Sequence, residues 1–131
     1  MASRVLKYSN GERIIEMGKV EQRMYIILDG MVEIWLSDGK NKISVAELKK
    51  GDFFGEISLF NNTPRSANAT AIDDVLLAYI DNLQQLKAFL LKNPNFAAKM
   101  VHILAKRLAQ TDDILIGKIS ELNRLQLTGE V

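Results

Sequence analysis

The feature that most constrains this chain is a change of pattern at residue 82. Up to Ile80, short apolar and β-branched runs alternate with Gly, Asp and Asn turns, the punctuation of an antiparallel β-domain. The pattern predicts strands at Arg13–Glu16, Met24–Leu28, Val32–Leu36, Ile43–Leu48, Ala67–Ala71 and Val75–Ile80. In Val32-Glu33-Ile34-Trp35-Leu36 the alternation turns Val32, Ile34 and Leu36 inward. Asp29-Gly30 and Asp38-Gly39 are tight-turn signals, and Gly11, Gly18 and Gly51 read as turn residues too.

After residue 82 the period becomes helical. Leu83, Leu86, Phe89 and Leu90 share one helical face, and Asn82 with Gln85 three positions later forms a capping arrangement. Asn93-Pro94 ends this helix and opens the next, because proline is tolerated in a first helical turn. From Pro94 to about Leu127 only Gly117 interrupts, so a helix of roughly 50 Å at 1.5 Å per residue is expected. Leu108, Leu115 and Leu122 recur at seven-residue spacing, with Leu104, Thr111, Lys118 and Leu125 at the second seam position. That period describes a coiled-coil seam, weakened by Thr111 and Lys118, and a parallel homodimer is expected from it. The alternative is one amphipathic helix folded on its own β-domain.

Chemistry concentrates late in the β regime. Gly55-Glu56-Ile57-Ser58-Leu59 precedes Arg65-Ser66-Ala67 across a loop holding Asn61, Asn62 and Pro64. Glycine lets an anion approach the backbone closely, and a helical turn at Glu56–Leu59 would aim N–H groups at it. Arg65 offers a planar fork for two oxygens of one phosphate, whereas Glu56 accepts hydrogen bonds from sugar hydroxyls. Such a set describes a nucleotide site without a catalyst. Each residue has a plainer reading: Arg65 as a solvated loop arginine, Glu56 as a helix-end carboxylate, Ser66 as a small strand-entrance residue.

The two motifs together resemble the phosphate-binding cassette of cyclic-nucleotide-binding domains, the family of the bacterial catabolite activator and of kinase and channel regulatory domains. Asn10-Gly11-Glu12, Glu16-Met17-Gly18, Tyr25-Ile26-Ile27, Gly30-Met31-Val32 and Gly51-Asp52-Phe53 extend the resemblance over nearly the whole chain. It implies a mainly β fold with carboxy-terminal helices. The β part is a jelly roll (double-stranded β-helix) of about eight strands, carrying a short cassette helix and a long dimerisation helix. The expected organisation is a single domain over 1–131, with the roll at about 10–81 and helices at 82–127.

The same resemblance implies a nucleotide site made of Gly55, Glu56, Ile57, Ser58, Arg65, Ser66 and Ala67. Ile34, Val45 and Ala46 match pocket-lining positions and read equally as roll core. Arg107 matches a helix position near the nucleotide and reads equally as a solvated charge. Thr111 falls where the activator places an adenine-contacting threonine, or is a tolerated polar residue in the seam. Asp112 departs from the activator pattern, and a carboxylate there would suit guanine. Rotated about 100° from Thr111, it is expected to be solvated, which favours cyclic AMP over cyclic GMP as ligand. Nucleotide is expected to draw the cassette and the long helix into a closed arrangement.

Composition narrows the alternatives. There are no cysteines and one histidine, His102, which removes disulfides, thiolate clusters and a cysteine nucleophile and makes a metal-dependent enzyme a poor fit. No Walker-type loop occurs, so no enzymatic activity, metal or cofactor is expected beyond the nucleotide ligand. A net charge of +1 supplies no field for nucleic acid or membrane. No window is long and apolar enough for a membrane span, and a cytoplasmic location is expected. Too few residues follow Leu127 for a helix-turn-helix, so DNA reading by this chain alone is not expected. The remaining alternatives are a cyclic-GMP-binding domain cut from a larger channel, kinase or regulator with its effector domain, or a ligand-free interaction module of the same fold.

Overall fold

The computed structural model describes residues 4–109. In chain order they form β1 (Val5–Tyr8), β2 (Arg13–Ile15), β3 (Met24–Asp29), β4 (Met31–Ser37), β5 (Lys42–Lys49), β6 (Phe53–Phe54), α1 (Ile57–Phe60), β7 (Asn68–Ala71), β8 (Val75–Ile80) and α2 (Leu83–Lys92). A further helix, α3, covers 94–109. Two four-stranded antiparallel sheets, β1-β8-β3-β6 and β2-β7-β4-β5, make the jelly roll.

Their facing sides share one core. Tyr25, Ile27, Phe54, Val75 and Leu77 come from the first sheet, and Ile14, Ile15, Val32, Ala69 and Ala71 from the second. Tyr25 stacks on Phe54 at 5.1 Å between ring centroids, a geometry that adds about 1 kcal/mol to the area it buries. On the opposite face of the first sheet Met24, Ile26 and Phe53 are also buried, and α1 touches β3 there.

Six strands fall where the pattern puts them, shifted by at most one residue at either end. Two were not anticipated. β1 pairs with β8 from Val5↔Ala78 to Tyr8↔Val75, so the roll begins upstream of residue 10. β6 is only two residues long, pairing Phe53 and Phe54 with β3, too short to show a period. The inward set of β4 is also less uniform than alternation implies: Val32 is fully buried, whereas Ile34 and Leu36 are partly buried. A register shift between Ile34 and Trp35 explains it, since Ile34 pairs Ala46 and Trp35 pairs Ser44, leaving Val45 as the extra residue.

Gly30 shows why the β3–β4 turn needs glycine. Its φ is +88°, and a Cβ there would overlap the Asp74 carbonyl. Asn82 caps α2 by accepting the Gln85 N–H at 2.9 Å, while Gln85 Oε1 accepts from the Asp81 N–H at 2.8 Å. The reciprocal bond thus lands one residue upstream of a standard capping box.

The chain divides into two compact units, Met1–Lys87 and Ala88–Val131. Within the second, Asn93 joins α2 to α3: its N–H and its Nδ2 both donate to the Phe89 carbonyl, and Ala97 N–H donates to the Asn93 carbonyl. Phe89 and Phe96 meet edge to face at 5.2 Å across that corner. Leu104 is partly buried and Leu108 is 64% exposed. Most of the expected seam, Thr111, Leu115, Lys118, Leu122 and Leu125, lies outside the described residues, as do Asp112 and Gly117.

Candidate functional site

The segment joining the two sheets carries the cassette. It leaves β6 at Phe54, makes the single turn of α1 and enters β7 at Asn68. α1 begins at Ile57, one residue later than expected, with Glu56 at the cap position. Gly55 has φ +78°, and a Cβ added to it would stand 2.8 Å from Arg65 Nη1 and 3.0 Å from the Arg23 carbonyl. Two requirements therefore meet at Gly55, a left-handed backbone and room for a guanidinium.

Arg65 is buried, with 7% of its surface exposed. Its Nη1 donates to the Gly55 carbonyl at 3.0 Å and its Nη2 to the Arg23 carbonyl at 2.6 Å. Glu21 lies 4.0 Å from Nη2. The Nε is buried without a hydrogen-bond partner among the described residues. Burial pulls the guanidinium below its ordinary pKa, opposed chiefly by the charge of Glu21 and less by that of Glu56. Leaving one donor of a buried cation unmet is a costly arrangement.

The main chain of Arg65 is fixed as firmly as its side chain. Its N–H donates to the Lys19 carbonyl and its carbonyl accepts from Gly18 N–H, both at 2.8 Å. Buried Asn68 accepts the Met17 N–H at 2.8 Å. Ser58 is buried under the same loop: its Oγ accepts the Arg23 N–H at 3.1 Å and lies 2.9 Å from the Gly55 carbonyl and 3.1 Å from that of Arg23. One proton serves both carbonyls, so Ser58 ties the cassette together.

The other expected residues are placed as follows. Glu56 is buried beside this group. Ser66 is exposed and Ala67 partly buried, both next to Arg65 in the chain. Ile57 is 59% exposed on α1. Ile34 pairs with Ala46 and Ala69 and packs on the core, while Val45, the bulged residue, is 57% exposed. Arg107 is exposed on α3 in the second unit. The structure brings together Gly55, Ser58 and Arg65; Ile57 is not gathered with them.

Sequence reasoning missed Arg23 and Glu21. Arg23 contributes a main-chain carbonyl, which leaves no trace in side-chain identity. Glu21 stands in a run of mixed polar residues whose only signal is its charge.

A cavity of about 560 Å³ is lined in part by Arg13, Glu16, Lys19, Glu21, Trp35 and Lys42; no cassette residue lines it, but Glu21, 4.0 Å from Arg65 Nη2, does. Lys19 there pairs with Glu16 at 3.0 Å and Lys42 with Glu33. Arg13 and Lys42 flank the Trp35 ring, whose Nε1 donates to Thr70 Oγ1 at 2.9 Å. Of its charged lining residues, Lys19 and Glu16 pair with each other. Among the described residues no group of His, Asp and Glu could hold a metal ion, and no helix is long and apolar enough to cross a membrane.

Residues 5–93 match the cyclic nucleotide-binding domain. The chain belongs to that family. It is 37% identical over 83 residues to the cAMP-dependent protein kinase type II regulatory subunit of Drosophila melanogaster, an alignment covering 63% of this chain and 21% of that protein. It is 29% identical over 110 residues to a CRP-like cAMP-activated global transcriptional regulator of Mycobacterium tuberculosis, covering 82% of this chain and 48% of the relative. The fold superposes on the Thermus thermophilus catabolite activator protein with a TM-score of 0.71 at 29% identity, over 86% of this chain and 53% of that one. The chain thus spans about half or less of each of these proteins, and all three are named as regulators or activators.

Proposed function

We propose that this chain is a non-enzymatic, cofactor-free sensor of a cyclic purine mononucleotide, with cyclic AMP as its ligand. The observation that carries the reading is Arg65: a buried guanidinium with a free Nε–H, set against a glycine that cannot carry a side chain. Two of its five N–H donors are engaged by carbonyls, leaving Nε–H and the outer N–H groups for phosphate oxygens. Gly55 and Ser66 complete that end. Glu56 takes the ribose hydroxyl, and Ile34, Val45 and Ala46 supply apolar surface along β4 and β5. The two curated relatives are named for cyclic AMP, which supports adenine over guanine.

Binding is relayed by movement of the carboxy-terminal helices, with Arg107 and Thr111 at the base, and the leucine seam pairs two copies. The sensor works in the cytoplasm on an attached or separate effector. Its output rests on differential contacts in two states, since a ligand shifts an equilibrium by no other means.

Calorimetry of the purified chain tests this reading. Cyclic AMP is expected to bind more tightly than cyclic GMP; a tenfold preference for cyclic GMP overturns the base assignment. Arg65→Ala should weaken cyclic AMP by tenfold or more, the loss of at least one charge-assisted contact at about 1.4 kcal/mol per factor of ten. Glu56→Ala should cost much less for a 2′-deoxy ligand than for the ribose form. Equal penalties would leave Glu56 a helix-end carboxylate and nothing more.

A further inference from the structure

Arg23 stands between the cassette and the start of α2. Its main chain is held on the cassette side, the carbonyl accepting Arg65 Nη2–H at 2.6 Å and the N–H donating to Ser58 Oγ at 3.1 Å. Its side chain is held on the other side. The Nε donates to Asp81 Oδ1 at 2.7 Å, and the guanidinium lies over the Tyr79 ring at 4.2 Å. Asp81 immediately precedes the α2 cap Asn82, and its own N–H is bound by Gln85 Oε1. The first helical bond of α2, Leu86 N–H to the Asn82 carbonyl at 3.1 Å, follows directly. All these residues fall in the compact unit Met1–Lys87.

We infer that Arg23 is a positioning residue that couples the state of Arg65 to the first turn of α2. This rests on Arg65 being the phosphate anchor. An anion that draws the Arg65 fork toward itself moves Nη2, and with it the N–H that holds the Arg23 carbonyl, so that bond changes even though the anion takes the other N–H. The peptide at residue 23 then shifts. The planar guanidinium of Arg23, fixed at once by a carboxylate and an aromatic face, carries the shift to Asp81 with little slack. The ion pair is only partly exposed, at 32% and 38% for the two side chains, so solvent screens it less than a fully exposed pair. Reciprocity follows: whatever factor the ligand applies to the helix turn, the turn applies to ligand affinity.

Hydrogen exchange at the Leu86 amide of the full chain reads the link in two arms. Without nucleotide, Arg65→Ala should change Leu86 exchange at least threefold, with Arg65→Gln as the substitute if the alanine variant does not fold. In an Arg23→Met background the same Arg65 change should have no effect. With saturating cyclic AMP, wild type should slow Leu86 exchange about fivefold. Arg23→Met and Asp81→Asn should still bind but lose that slowing, and the double variant should lose no more than either alone. Asn82→Ala is the control, since it raises basal exchange by uncapping the helix yet keeps the ligand-dependent change. Unaltered Leu86 exchange in the Arg65 variants, or ligand-dependent slowing that survives Arg23→Met, overturns the coupling. Failure of wild type to bind either cyclic nucleotide refutes the sensor reading instead, and the nucleotide-free arm then decides the coupling alone.

Discussion

Strand β3 buries Met24, Tyr25, Ile26 and Ile27 in succession, whereas β5 in the other sheet leaves every residue but Ala46 and Leu48 exposed. The difference comes from position. β3 lies inside its sheet between β8 and β6, with the shared core on one face and a second buried layer on the other. β5 is an edge strand paired only with β4, bulged at Val45 and carrying lysines at both ends. Bulges and lysines are devices that keep an open edge from pairing with another chain. Within a core that both sheets share, β3 is thus a buried strand and β5 an open edge. The cassette runs from the first sheet to the second.

Truncation in the dry sheet should test this division hardest. Phe53 is fully buried opposite Ile26, and Phe53→Ala should cost about 3–5 kcal/mol of unfolding free energy. Ile43→Ala on β5, at 52% exposure, should cost less than about 1 kcal/mol. Urea denaturation of both variants gives the contrast directly. Similar losses would mean that β5 is as integral to the fold as β3.

A smaller effect isolates the boundary between the sheets. Burial, reinforced by the charge of Glu21, pushes the Tyr25 phenol up to about 12. An unfolded tyrosine ionises near 10, so between those values the folded chain keeps a proton that the unfolded chain has released. The stabilisation is whole below pH 10 and disappears as pH rises to 12, worth about 2–3 kcal/mol at about 1.4 kcal/mol per pKa unit. Tyr25→Phe should remove this alkaline loss while changing stability little at neutral pH. Denaturant midpoints at pH 8 and pH 11 check it; an unchanged alkaline slope in the variant would assign the loss elsewhere.

How far the sequence discloses this molecule depends on whether side-chain type or backbone geometry makes each contact. Strands β3, β4, β5 and β8 are legible because burial writes itself as apolar runs and alternation. β1 is not, since Val5-Leu6-Lys7-Tyr8 is a single mixed period, and its strand state comes from pairing with β8. Gly55 and Arg65 are legible as a pair, a glycine and a guanidinium that occupy one space. The carbonyl of Arg23, which takes the shortest hydrogen bond of that guanidinium, is invisible by nature. Val45 stands between these cases. Its type says strand, but only the register shift explains why it is exposed next to partly buried Ala46.

Val45 also supplies the finest test of the division between the sheets. If β5 keeps apolar surface in reserve for a nucleotide, Val45→Ser should leave stability within about 0.5 kcal/mol, as expected for an exposed site. It should nevertheless weaken cyclic AMP about threefold. Covering some 30 Å² of valine surface at about 25 cal/mol per Å² gives roughly 0.7 kcal/mol, which is a factor of about three. Parallel melts and titrations of the one variant separate the outcomes. A stability loss above about 1.5 kcal/mol with unchanged affinity would make Val45 part of the core and erase the contrast with β3. Loss of affinity with stability intact would place the ligand against the open sheet, on the strand that the fold leaves uncovered.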